Sequence, residues 1–211
     1  MKNVIPVDGA QSPQVHSAEA PSAWVVRWSP LVAPGGSVLD VACGHGRHTV
    51  WFSSLGHRVV AVDREPAVID ATRLHAPACE ARVADLETGP WPFGGRTFDA
   101  VVVTNYLWRP LFPALLASLS PGGVLIYETF TVGQASIGKP SRPEFLLRPG
   151  ELLDLCRDLR IVAFEDGFQP AEPPGSGRFV QRIVAVRAPP VDASASPSSA
   201  SGSSPARYRL T

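Results

Sequence analysis

The chain has 211 residues, 45% of them hydrophobic, and its 19 basic and 19 acidic side chains cancel at neutral pH. That length suits one domain of about 150 residues with irregular chain to spare. Balanced charge argues against a protein that coats nucleic acid through a basic excess, and no apolar run approaches the roughly 20 residues needed to span a bilayer.

Pro6, Asp8, Gln11 and Gln14 break up any apolar leader after Lys2, so no secretory signal is expected. Cys43, Cys79 and Cys156 are scattered, with no Cys-x-x-Cys pair. They predict reduced thiols in a cytoplasmic protein, without a disulfide frame or a metal site. Residues 1–19 are polar and aperiodic, and residues 188–211 are rich in Ser, Pro and Ala. Both are predicted to be disordered tails around a single domain at 20–187.

Within that domain the chain alternates between strand and helix. A segment holding Trp24, Arg27 and Trp28 is read as a helix before the first strand, either packing on the core or closing over a ligand. The first strand is Ser37–Ala42, followed by a helix over Gly46–Leu55 that Gly56 stops. His57–Val62 is the second strand, and a helix over Glu65–Leu74 starts at Pro66. Ala81–Ala84 and Thr97–Val103 are the third and fourth strands, and a helix over Pro110–Leu119 precedes a fifth at Val124–Glu128. A helix over Pro149–Leu159 leads to strands at Arg160–Phe164 and Arg178–Val186.

Strands apolar on both faces and separated by helices imply a parallel sheet covered on both sides. The last two are joined by a Pro/Gly-rich loop, Gly167–Gly177, which suits an antiparallel edge. The expected fold is α/β, doubly wound and mostly parallel, with seven strands and an antiparallel last strand.

Ligands of such sheets bind at the carboxyl ends of the strands. After the first strand, Gly44 and Gly46 permit a tight turn into a helix whose free N–H groups face a ligand. A lone Gly-x-Gly serves equally as a plain turn. Asp63 closes the second strand and can accept from both hydroxyls of a ribose, while Asp85 follows the third and can accept from an adenine amine. Each acid alone is also read as a loop acid or a helix cap; the combination with the glycine turn is what points to a nucleoside.

VLDVACGHGRH, AVDRE, ADLE, FDAVVVTNYL and LSPGGVLIYETF together resemble the motifs of class I S-adenosylmethionine-dependent methyltransferases over about residues 20–187. Within that superfamily the chain is most similar to the tellurite-resistance/thiopurine-type enzymes that methylate small molecules. The family pattern has three alternate glycines after the acid, and Ala42 stands at the first. The dinucleotide pattern Gly-x-Gly-x-x-Gly fails at Thr49, which argues against the rival nicotinamide-dependent oxidoreductase. A binding subunit without catalysis is the other rival.

The resemblance implies S-adenosyl-L-methionine as cofactor and a Rossmann-like methyltransferase fold. It places Ala42, Gly44 and Gly46 against the methionine, Asp40 beneath the turn near its ammonium, and Asp63 with Arg64 at the ribose. Asp85 and Leu86 then fall at the adenine, and Asn105 and Tyr106 border the sulfonium and the acceptor as the candidate catalytic pair. Tyr106 and Trp108 could present ring faces to the cation. Arg47 is a candidate contact for the cofactor carboxylate, and His48 is read as solvent-facing. Lys139, Arg142 and Arg148, in the long loop after the fifth strand, are candidates for an anionic acceptor or plain surface charges. The absence of an Asn-Pro-Pro-Tyr motif after the fourth strand favours a small-molecule acceptor over nucleic acid. Oligomeric state is not encoded in any of these motifs.

Overall fold

The computed structural model describes residues 19–171 and 176–189. Seven strands form one sheet in the order β3-β2-β1-β4-β5-β7-β6. These are β1 (Ser37–Val41), β2 (Arg58–Asp63), β3 (Glu80–Val83), β4 (Phe98–Thr104), β5 (Leu119–Phe130), β6 (Arg160–Ala171) and β7 (Ser176–Val186). Pairings among the first five are parallel, and β7 runs antiparallel to both β5 and β6. The order reverses direction between β1 and β4, so the first βα turn and the end of β4 face each other across a crevice.

The α-helices are α1 (Ala23–Trp28), α2 (Arg47–Ser54), α3 (Pro66–His75), α4 (Phe112–Ala117) and α5 (Glu151–Leu155). Val38, Ala100, Val102 and Ile126 face one layer of the core, against Trp24, Trp28 and Phe52. Leu39, Val101, Leu125 and Tyr127 face the other, against Phe112, Leu115 and Leu152. Both faces of the central strands are therefore dry, which is why these strands read as unbroken apolar runs.

Several elements differ from the sequence reading. The helix expected over Pro110–Leu119 is a 3-10 turn at Arg109–Leu111 followed by the short α4, since two prolines each remove a backbone donor. The helix expected over Pro149–Leu159 is only α5, capped by Gly150 at φ 71°. The strand expected to stop at Phe164 continues to Ala171, paired along its length with β7 and tied by a Phe168–Phe179 ring contact at 5.0 Å. What looked like a loop at 167–177 is thus mostly hairpin. The predicted tails lie outside the described residues except at Glu19, Ala188 and Pro189. Among the described residues no helix is long and apolar enough to cross a membrane.

Candidate functional site

The site is built where β1, β2 and β4 end. Cys43 N–H donates to the Val62 carbonyl (3.0 Å), carrying the ladder two residues past β1. The chain then turns through Ala42 (φ 51°), Gly44 (φ 54°) and Gly46 (φ 79°), and Gly46 caps α2. Left-handed backbone costs a side-chain-bearing residue roughly 1–2 kcal/mol. Ala42 bears that strain, which is the physical reason the family pattern carries glycine there.

The two glycines serve different ends. A Cβ on Gly44 would meet no protein atom within 4 Å, so its face is open to the cavity. A Cβ on Gly46 would lie 2.7 Å from Thr72 Oγ1, so Gly46 lets α2 and α3 approach each other.

Asp63 ties the turn to β2. Its Oδ2 accepts from Gly44 N–H (3.0 Å) and its Oδ1 from Glu65 N–H (3.0 Å). Each oxygen accepts one such bond, and Asp63 also lines the cavities beside the turn. Asp40 is buried beneath, accepting from the Thr49 hydroxyl at 2.7 Å, and burial lifts its pKa to about 6.

Two cavities adjoin this turn, of about 370 and 830 Å³. Ala42, Asp63, Asn105 and Tyr106 border both, so the cavities form one cleft. Arg64, Asp85 and Leu86 line the smaller cavity, and Glu19, Gly44 and Arg47 line the larger. Asp40 and Gly46 border neither. Arg47 and Glu19, paired at 2.7 Å, both line the larger one.

Asp85 stands exposed and caps its own turn, accepting from Glu87 N–H (2.9 Å) and the Thr88 hydroxyl (2.6 Å). Chiefly the Thr88 bond holds its carboxyl below the ordinary value. Asn105 takes φ 55°, which asparagine tolerates, and its N–H donates to the Glu128 carbonyl at 2.9 Å. Tyr106 is held at its carbonyl by the Tyr127 hydroxyl (2.7 Å), itself stacked on Phe112. Its own hydroxyl is buried with no hydrogen-bond partner among the described residues. Burial, then the charges of Glu87 and Asp85, push that phenol above its ordinary pKa.

Other candidates fall elsewhere. Trp24 and Trp28 are 2% exposed in the core and border neither cavity, so α1 packs rather than covers. Trp108 packs half-buried on the core. Arg142 pairs with Glu144, and Arg148 leans on Glu151. Lys139 is exposed and lines neither cavity. The loop contributes Pro140 and Phe145 instead, with Leu107, Thr129 and Phe130 beside them. Nothing in single-sequence reading marks those apolar residues as lining a site. Thr104 and Glu19 were also missed; the position of Thr104 at a strand's carboxyl end was the available signal.

His48, read as solvent-facing, is 2% exposed. Its Nε2 accepts from Ser22 N–H (3.1 Å) and its Nδ1 faces the Thr104 hydroxyl at 3.4 Å. Burial, aided by the Arg47 charge, lowers its pKa from 6.5 to about 3. A lowered histidine stabilises fully above its unfolded value and loses that contribution as pH falls through 6.5 towards 3. The raised Asp40 acts oppositely, since its folded form takes up a proton first between about 6 and 3.8. His48→Gln keeps an acceptor for Ser22 but no titration. The variant should therefore gain on the parent by about 1.4 kcal/mol per pH unit between pH ~6 and ~4. Urea midpoints measured across that range check this; a constant difference would mean His48 does not titrate there.

Comparison with known proteins agrees with this architecture. Residues 38–123 match the family described as a methyltransferase domain. The chain is 33% identical over 106 residues to malonyl-[acyl-carrier protein] O-methyltransferase from Serratia marcescens, a match covering 47% of this chain and 40% of that protein. It thus spans less than half the length of the curated relatives it matches. Among solved structures, TehB from Haemophilus influenzae superposes with TM-score 0.65 at 17% identity, covering 77% of this chain and 61% of that one. A SAM-dependent methyltransferase from Methanosarcina mazei gives TM-score 0.62 at 16% identity, covering 82% and 100%.

The fold is the Rossmann-like α/β sheet of these methyltransferase structures. Residues 38–123 carry the match to a methyltransferase domain, and TehB-like proteins are among the structural neighbours of the fold.

Proposed function

We infer that this chain moves the methyl group of S-adenosylmethionine to a small-molecule acceptor and releases S-adenosylhomocysteine. The observation that carries the reading is the single cleft that joins Gly44, Asp63 and Asn105 across the point where the strand order reverses. The residues present fit this cofactor. Gly44 leaves open space where any larger residue would put a Cβ, and the Asp63 carboxylate lines the cleft beside it.

The sulfonium supplies an activated methyl group, so the protein's task is alignment and exclusion of water. Asp63 would accept from the ribose hydroxyls, with Arg64 at the rim. Asp85 and Leu86 would flank the adenine. Gly44, Ala42 and Arg47 would lie along the methionine, with Asp40 and Gly46 acting from beneath by fixing the turn. Asn105 and Tyr106 would border the reacting methyl group. The carboxylates of the cleft complement a cationic cofactor. Balanced charge and three unpaired thiols support a cytosolic small-molecule enzyme rather than a nucleic-acid partner.

Asp63→Ala removes a charged acceptor worth about 1.5–3 kcal/mol per bond and also frees the Gly44 N–H. S-adenosylmethionine affinity by calorimetry should fall at least about tenfold, and unchanged affinity would take Asp63 out of the site. Every residue given a role here lies between Asp40 and Tyr106. A chain ending at residue 189 should therefore bind the cofactor as tightly as the full chain, and weakened binding would show that the tail contributes to the site.

A further inference from the structure

The two ends of the smaller cavity differ in chemistry. Beside β2 and the turn after β3 stand the carboxylates Asp63, Asp85 and Glu87, with Arg64 among them. The opposite end is closed by Leu107, Thr129, Phe130, Pro140 and Phe145, none of which titrates. The neighbouring cations are turned to other work. Arg109 and Arg148 are held by Glu151, and Arg142 by Glu144. Among the described residues, no cationic side chain borders the apolar end.

Two constraints on the acceptor follow. An anionic acceptor would leave water, a cost of several kcal/mol per ion, with the cofactor's own charge to face but no cationic side chain at the apolar end, in a cleft already rich in carboxylates. A nucleophile that appears only on ionisation would find no base at the apolar end. Tyr106, the phenol that borders the cleft, is itself held protonated by burial and by Glu87 and Asp85. A phenol lodged beside it would meet the same burial and the same charges.

We propose that the acceptor is an uncharged nitrogen nucleophile, a ring nitrogen or weakly basic amine, on an apolar ring-sized body packed against Leu107, Phe130 and Phe145. The proposal rests on the methyltransferase reading above. The nitrogen lone pair forms the new N–CH3 bond, and the electrons of the broken C–S bond return to sulfur. Positive charge passes to nitrogen, where the carboxylates of the cleft favour it. An N–H, where the acceptor has one, then leaves as a proton to water, so no protein base is needed.

The test uses the full chain with S-adenosylmethionine and four matched bicycles: quinoline, 1-naphthol, 1-naphthalenethiol and 1-naphthoate. S-adenosylhomocysteine release should give quinoline a kcat/KM at least about tenfold above the others. Its rate should stay flat from about pH 7 to 9, because its nucleophile is already unprotonated. Preference for the naphthol, thiol or carboxylate overturns the proposal while leaving the methyltransferase reading intact. So does a chain that binds S-adenosylmethionine in calorimetry yet fails to methylate quinoline. A chain that binds no S-adenosylmethionine overturns that reading and the proposal together.

Discussion

Gly44→Val is expected to abolish S-adenosylmethionine binding, with affinity reduced more than about 100-fold, or roughly 2.7 kcal/mol. Gly44 sits at φ 54° with nothing within 4 Å of where a Cβ would stand. The valine Cβ would therefore meet no protein atom; it would stand in the space that the reading gives to the cofactor. The backbone cost is a separate quantity, roughly 1–2 kcal/mol for a left-handed residue that is not glycine. Each kcal/mol lowers the melting temperature of a domain this size by about 2–4 °C. The Gly44 N–H to Asp63 survives the change, so the anchor of the turn is kept. Calorimetric titration and a melting curve together check the prediction. Normal binding by a folded variant would show that the turn is only structural.

Glu128→Ala is expected to produce the largest loss of stability. Glu128 is fully buried at the end of β5, and its carboxylate meets Arg182 at 2.7 Å, Arg178 at 3.0 Å and the Ser22 hydroxyl at 3.0 Å. Removing one partner of a buried ion pair costs about 3–5 kcal/mol, because the remaining charges stay desolvated. Arg178 is 28% exposed and recovers some hydration, so about 3 kcal/mol is expected, read as a shift of the urea midpoint. A shift under about 1 kcal/mol would mean that both arginines reach water when the carboxylate is gone. Ser22 also donates its backbone N–H to His48, so the same variant should loosen α1 from the sheet. The fluorescence of Trp24 and Trp28, both buried on α1, would report it.

The residues that carry the cleft were legible for a local reason. Gly44, Asp63, Asp85 and Asn105 each lie at or just beyond the carboxyl end of a strand, and strand ends are where an α/β sheet exposes backbone to ligands. The alternation of strand and helix likewise predicted seven strands with an antiparallel edge. Tertiary contacts decided the rest. Pairing with β7 carried β6 through Gly167 to Ala171, because a ladder partner outweighs weak strand propensity. His48 looked like a surface residue until α1 packed over it and gave its ring nitrogens a partner.

The apolar end of the cleft was the least visible from sequence. Phe130, Pro140 and Phe145 are ordinary apolar residues in a loop, and the nearby Lys139, Arg142 and Arg148 drew the eye as candidate contacts. Local pattern determined the sheet and the strand-end side of the cleft that we assign to the cofactor, since there one strand end supplies each group. The apolar side was decided only by the folded loop, because long-range ion pairs such as Arg109–Glu151 choose which side chains turn away and which are left to line the cavity.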